Sequence, residues 1–153
     1  MRIGFYPGCS LNGTSREYNE SVKAIGKALG IDWVELKDWN CCGATAAHSM
    51  NKELSLALPT RILALAEKQG FQEIVVPCAS CYNRLSVAQY ELENNEKLKD
   101  DVLTVVGLPY LGTVKVLNVF QFIEKYILDI LPDKIVRPFA HQVACYYGCL
   151  LLR

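Results

Sequence analysis

Blocks of apolar residues separated by turn signals predict strands and helices in alternation along this chain. Residues 3–6 form a short apolar run closed by Pro7-Gly8, the pattern of a buried strand entering a turn. Thr14-Ser15-Arg16-Glu17 has the Ser/Thr-x-x-Glu form of a capping box. Tyr18, Val22, Ile25 and Leu29 follow at helical spacing up to Gly30, so a helix is expected there. Residues 33–36 resemble a second strand, and 37–43 a loop that carries Cys41 and Cys42. From 44 to 69 the pattern is helical, but Pro59 cannot donate inside a helix and biases Leu58 away from helical angles. Two helices, or a kink, are expected at that point, the second piece running through Ile62, Leu65 and Ala66 to a stop at Gly70.

Residues 73–76 are a β-branched strand ended by Pro77, and a helix starts at or just after Cys78. In that helix Cys81, Leu85, Ala88 and Leu92 share one stripe, which turns the Cys81 thiol inward. A helix over 96–106, a Gly/Pro-interrupted loop, a strand near 114–117, a helix over about 119–131 and a last strand over 142–147 complete the pattern. Strands alternating with helices imply an α/β fold: a single Rossmann-like domain, its mostly parallel sheet flanked by helices.

Composition narrows the classes. The chain has 153 residues, the size of one domain, with 51% hydrophobic and 21% charged residues, so it should fold compactly. Sixteen Lys and Arg balance 16 Asp and Glu, which leaves no basic field for phosphates; nucleic acid is not an expected partner. The most apolar region, 102–123, is broken by Gly107, Pro109, Gly112 and Lys115, and no transmembrane segment is expected. Seven cysteines are many for such a chain, and Met1-Arg2 runs directly into the first strand without a leader pattern. A reducing, cytoplasmic setting is expected, in which cysteines serve metal, cluster or redox chemistry.

Their spacing is specific. Cys9 is followed after 31 residues by Cys41-Cys42-Gly43, and after 35 more by Cys78-Ala79-Ser80-Cys81. Each site follows a predicted strand. In an open parallel sheet the loops after the strand carboxyl ends meet in one crevice, so five thiols distant in sequence can converge. A helix starting near Cys78 would aim its unpaired N–H groups at the sulfurs and favour thiolate, the form that binds metal. Gly43 would let the backbone turn sharply after the vicinal pair so that both side chains point the same way. All-sulfur ligation selects Zn, Cu(I) or iron–sulfur clusters. Five cysteines are one too many for mononuclear zinc, and the compact run of a ferredoxin cubane is absent, so an unusual cluster is suggested.

A faint internal repeat lies at an offset of 140 residues. Phe5-Tyr6-Pro7-Gly8-Cys9-Ser10-Leu11 compares with Cys145-Tyr146-Tyr147-Gly148-Cys149-Leu150-Leu151, sharing Tyr, Gly, Cys and Leu in register. The expectation is a cluster domain over 1–140 and, over 141–153, the first strand of a second, truncated copy.

Tyr6-Pro7-Gly8-Cys9, Trp39-Asn40-Cys41-Cys42-Gly43-Ala44, Ala57-Leu58-Pro59 and Pro77-Cys78-Ala79-Ser80-Cys81-Tyr82-Asn83-Arg84 resemble the N-terminal CCG domain of the heterodisulfide reductase B-type family, in its bacterial form. The resemblance covers about residues 1–147. It implies a noncubane [4Fe-4S] cluster with Cys9, Cys41, Cys42, Cys78 and Cys81 as ligands, and Cys149 as the first ligand of a second site. It implies a catalytic component that reduces a disulfide to two thiols, with electrons arriving singly from an iron–sulfur (C-type) subunit of the same complex and ultimately from its flavin (A-type) subunit. Because the family's active site lies between two clusters, the 153 residues alone should not complete that reaction. Purification in air could strip iron or leave zinc or oxidised cysteine pairs in its place.

Other readings stand beside this one. A strand-Cys-x-x-Cys-helix also suits a thioredoxin-like dithiol or half a zinc site, and adjacent cysteines can form a vicinal disulfide. A rival of another class is a cluster-free zinc or thiol/disulfide module that only docks to partner proteins. Cys145, outside the motif, is expected in the core. His48 is a candidate proton donor to a leaving thiolate, with a capped or exposed helix residue as the plainer reading; His141 is a weaker candidate. Trp33, Trp39 and Tyr82 are expected as core or crevice wall.

Overall fold

Four short strands form one sheet in the order β2-β1-β3-β4, every neighbouring pair parallel. The computed structural model describes residues 1–44, 46–146 and 148–152, and for His48 and Leu152 only the backbone. In chain order the elements are β1 (Arg2–Phe5), α1 (Gly8–Asn12), α2 (Arg16–Ala28), β2 (Asp32–Glu35), α3 (Ala47–Met50) and α4 (Lys52–Lys68). They continue with β3 (Glu73–Val75), α5 (Ala79–Asn94), α6 (Glu96–Val106), β4 (Lys115–Leu117), α7 (Val119–Tyr126), a 3₁₀ turn at Pro132–Lys134, and α8 (Cys149–Leu152).

The two-residue period of the strands separates the core into two layers. Ile74, Val76 and Tyr6 face a cluster built with Ile62, Leu63 and Leu85 from α4 and α5. Val75 and Ile3 face Phe122 of α7, and Phe5 faces Leu11 and Val22 of α1 and α2. Phe5, Ile74 and Val75 have no exposed surface, as expected for parallel strands covered on both faces. The α/β, Rossmann-like expectation therefore holds, with helices on both sides of a wholly parallel sheet. The stripe of α5 also lies where its period places it: Cys81, Leu85, Ala88 and Leu92 are at most 2% exposed.

Several local expectations are corrected. Helix α4 passes through Pro59 unbroken, and the break comes earlier, at Asn51. Asn51 is extended, ends α3, and accepts a hydrogen bond from the Leu54 amide at 2.8 Å as the cap of α4. An interior proline costs a helix about 3 kcal/mol, whereas each fully buried Leu or Ile contributes about 1.5–3 kcal/mol. The buried Leu56, Ile62, Leu63 and Leu65 around Pro59 outweigh it. In α2 the cap residue is Ser15 and no capping box forms over residues 14–17; the box that does form is Asn118 with Gln121, at the start of α7. The buried face of α2 is Asn19, Val22 and Gly26, and Tyr18 and Ile25 are exposed, because Gly26 lets the Trp33 ring lie against the helix. Helix α7 ends at Tyr126, short of 131.

The strand expected over 142–147 is absent from its described residues, 142–146. A strand needs a ladder partner, and this segment is paired with none of the four strands; its side chains are exposed throughout. Cys145 is consequently exposed and not in the core. His141 is exposed beside Phe139, at 4.9 Å between ring centres. The side chain of His48 lies outside the described residues.

Candidate functional site

The order β2-β1-β3 places the turns after these three strands side by side. The chain leaves β1 toward β2 on one side and returns to β3 on the other, so a topological switch point opens between β1 and β3. Cys9 follows β1 in the first turn of α1, Cys41 and Cys42 lie in the loop after β2, and Cys78 and Cys81 follow β3 around the start of α5.

The sulfurs meet across the elements. The Cys9 and Cys41 Sγ atoms are 3.9 Å apart at the exposed rim. Beneath them the buried Cys42 and Cys81 share a hydrogen bond at 3.3 Å. Cys78 is close enough to Cys81 and to Ser10 for both to lower its thiol. Adjacent cysteines on an extended backbone would point to opposite sides. In this loop each instead has its own partner, Cys41 toward Cys9 and Cys42 toward Cys81.

Two glycines make this approach possible. Gly8 has φ +68°, and a β-carbon there would lie 2.7 Å from the Cys81 sulfur, inside contact distance. Gly43 has φ +78°, and a β-carbon there would meet Ala47 and Leu58 at 2.9 Å. The Gly43 amide donates to the Cys41 sulfur at 3.4 Å.

Charge is distributed unequally over the thiols. The hydrogen bond with Cys81, together with the amides of Cys81 and Ser80, lowers Cys78 to about 6 against the penalty of burial. Cys42 is lowered to about 7 by its bond with Cys81, against burial and with help from the Ala44 amide. Cys81 is pushed far up by Cys42 and Cys78 beside it and by burial. Burial raises Cys41, and the adjacent Cys9 adds to this. Metal binding takes thiolates and would replace these thiol protons.

The donor set is sulfur alone, which suits zinc, Cu(I) or iron–sulfur centres. Two sulfurs on one tetrahedral metal at ~2.3 Å would stand roughly 3.8 Å apart, close to the Cys9–Cys41 separation of 3.9 Å. Among the described residues no group of three or more His, Cys, Asp or Glu is arranged to hold one metal ion. Cys9 and Cys41 are exposed, Cys78 is half-buried, and Cys42 and Cys81 are buried.

The spacing of the cysteines gave no sign of the residues that surround them. Tyr6, wholly buried, donates its hydroxyl to the Asn40 carbonyl at 2.9 Å and meets Trp39 edge-on at 5.5 Å. Its hydroxyl is pushed up by burial and by the thiols Cys81, Cys42 and Cys41. Tyr18, exposed on α2, lies close enough to Cys78 to feel its charge. Tyr82 is half-buried beside the core and Trp33 packs on Phe5 at 5.4 Å, so the aromatics are wall and core as expected. A cleft of about 930 Å³ lies at the opposite, amino ends of the strands; Arg2, Glu73, Lys125 and Tyr126 line it, and none of the cysteines does. Cys145 and Cys149 are exposed and take no part in the described sulfur contacts.

The comparisons with known proteins place the chain in a family. The cysteine-rich domain model named CCG matches residues 3–86. The chain is 32% identical over 153 residues to the 8-methylmenaquinol:fumarate reductase membrane anchor subunit of Wolinella succinogenes, covering 99% of this chain and 53% of that protein. It is 29% identical over 160 residues to the B-type subunit of the ferredoxin/F(420)H(2)-dependent CoB-CoM heterodisulfide reductase of Methanosarcina acetivorans, covering 99% of this chain and 52% of that one. The chain thus spans about half the length of these curated relatives. A hypothetical protein from Helicobacter pylori has a similar fold, with a TM-score of 0.66 over 83% of this chain and 26% of its own, at 16% identity. Despite the name of the first relative, no helix among the described residues is long and apolar enough to cross a membrane.

Proposed function

The chain belongs to the CCG cysteine-rich domain family, and from that premise we propose that it holds an iron–sulfur cluster on Cys9, Cys41, Cys42, Cys78 and Cys81 and works as a redox unit of a disulfide-reducing complex. The observation that carries the reading is the gathering of these five thiols beyond three adjacent strands, with Cys9 beside Cys41 and Cys42 beside Cys81. The named relatives are parts of oxidoreductases, which supports the redox assignment.

The finer reading is a noncubane [4Fe-4S] cluster. When bound, it would supply one-electron storage beside the substrate. The protein's own part is to hold the sulfurs and the charge. Gly8 and Gly43 keep the site clear of side-chain bulk, the amides of Ser80 and Cys81 favour thiolate at Cys78, and Tyr6 and Trp39 close the inner wall. In the net reaction a disulfide would take up two electrons and two protons to give two thiols, the electrons passing from a flavin protein through an iron–sulfur protein of the same complex. Residues 1–140 would form the cluster unit, and residues from 141 onward would begin a second. The shared Gly-Cys start of α1 and of the α8 segment, 140 residues apart, supports that division.

Anaerobic reconstitution of the full chain with iron and sulfide tests the assignment. Uptake of both, with broad visible absorption near ~400 nm from thiolate-to-iron charge transfer, is expected. Tight binding of one zinc with no sulfide uptake would instead favour a docking module stapled by metal.

A further inference from the structure

We propose that Arg61 is a positioning residue that holds loop 38–42 in its sulfur-presenting shape before any metal is bound. The inference deepens the cluster reading and rests on it for its purpose, though the clip itself exists in the protein alone. Arg61 lies on α4, the helix over which the loop folds. Its Nη1 donates to the Asp38 carbonyl at 2.7 Å and to the Asn40 Oδ1 at 3.0 Å, and its Nη2 donates to the Asp38 carboxylate at 2.6 Å. Asp38 is the one described non-glycine residue with positive φ, at 60°. That conformation is costly for residues with a β-carbon, least so for Asp and Asn, and persists where surrounding bonds hold it.

Residues on and just after the same helix grip this part of the chain at two further levels. Gln69 exchanges hydrogen bonds with the backbone of Lys37, at 2.9 and 3.1 Å. The Asn40 side-chain amide donates to the Leu58 carbonyl at 3.0 Å and to the Cys41 carbonyl at 2.9 Å. The Tyr6 hydroxyl binds the Asn40 carbonyl from the opposite side. Arg61 is central to this set because it alone bonds both the strained Asp38 and the side chain of Asn40. The ion pair contributes little, since the Asp38 side chain is 75% exposed; the bonds to a carbonyl and an amide oxygen matter more.

The purpose follows from the geometry of adjacent residues. Cys41 and Cys42 reach their partners from a loop whose backbone turns at Asp38 and at Gly43, so its shape sets where each sulfur lies. A loop released from Arg61 can relax out of the left-handed conformation at Asp38 and change which sulfur faces Cys9 and which faces Cys81. A lysine at 61 would provide one point donor in place of the planar fork, and so restore only part of the grip.

The test is amide hydrogen exchange on the reduced, metal-free full chain, comparing wild type with Arg61→Leu and Arg61→Lys. In Arg61→Leu, exchange at residues 38–43 should rise about tenfold, the equivalent of one charge-assisted hydrogen bond, with β1 and α5 unchanged; Arg61→Lys should recover part of it. Should Arg61→Leu not fold, Asn40→Ala removes the same clip from its other side and should give the same local rise. Exchange at 38–43 that stays at the wild-type rate, or that rises equally throughout the chain, overturns the proposal. Anaerobic loading then separates the clip from the cluster assignment. Wild type should take up iron and sulfide, and Arg61→Leu should load several-fold more slowly. A wild type that takes up neither would refute the cluster reading while the exchange result still decides the clip.

Discussion

Residues 5–11 and 145–151 carry the same Tyr, Gly, Cys and Leu in register, yet they occupy opposite environments. Tyr6 has no exposed surface, whereas Tyr146 is 92% exposed. Gly8 has φ +68° and a β-carbon there would lie 2.7 Å from the Cys81 sulfur, whereas one on Gly148 would meet nothing within 4 Å. Both segments still start a short helix at Gly-Cys, α1 at Gly8 and α8 at Cys149, and α8 lies against α5. The helix start is a local property, satisfied in both places. The strand before it is not, because it exists only where neighbouring strands complete its hydrogen bonds: β1 lies between β2 and β3.

The largest test of this contrast is stability. Tyr6→Ala should destabilise the fold by about 3–5 kcal/mol, as expected for deleting a buried aromatic ring. Tyr146→Ala should stay within about 0.5 kcal/mol. Denaturant unfolding compares them, and equal losses would mean that the 140s are packed as tightly as β1.

A smaller difference is expected at the glycines. Gly8→Ala combines a left-handed backbone with a β-carbon driven into Cys81, at a cost of about 1–3 kcal/mol, and it should also depress metal loading. Gly148→Ala, placed in open space, should match wild type in both thermal unfolding and loading.

The cysteines should differ in loading rather than stability. Cys9 is exposed, so Cys9→Ser should leave the melting temperature almost unchanged while reducing sulfide and iron uptake and altering the visible spectrum. Cys149→Ser should reduce neither. An unaltered spectrum for Cys9→Ser would remove it from the ligand set.

The smallest effect is expected at the amino ends of the strands, remote from both segments. Lys125 and Tyr126 of α7 bind Glu73 of β3; burial opposes this, but the two partners hold the carboxyl below its usual range. A depressed carboxylate contributes stability above its unfolded pKa of about 4.3, and that contribution is lost as pH falls through the folded value. Lys125→Met should therefore lower stability slightly at neutral pH, and its difference from wild type should shrink as pH falls below about 4, as read from melting curves across pH.

Much of the fold was legible because its signals are local and repeat. The stripe of Cys81, Leu85, Ala88 and Leu92 predicted its own burial, Pro77 marked the end of β3, and the cysteines after predicted strands implied a shared crevice. Where packing outvoted local preference the reading failed. Pro59 stayed inside α4, Asn51 broke the helix instead, Tyr18 and Ile25 turned outward, and Cys145 found no core to enter. Arg61 and Asp38 left no trace in the spacing, since their partnership spans 23 residues and depends on a loop folding back over a helix.

The order of elements, the parallel α/β class and the set of thiols able to share a crevice were all readable along the chain, because periodicity, turn residues and spacing are linear properties. Which sulfur faces which, how burial and neighbours shift the thiols and whether a strand-like segment becomes a strand were settled only by the folded arrangement. Those outcomes depend on groups supplied by other elements: the carbonyls of β3, the guanidinium on α4 and the amides at the start of α5.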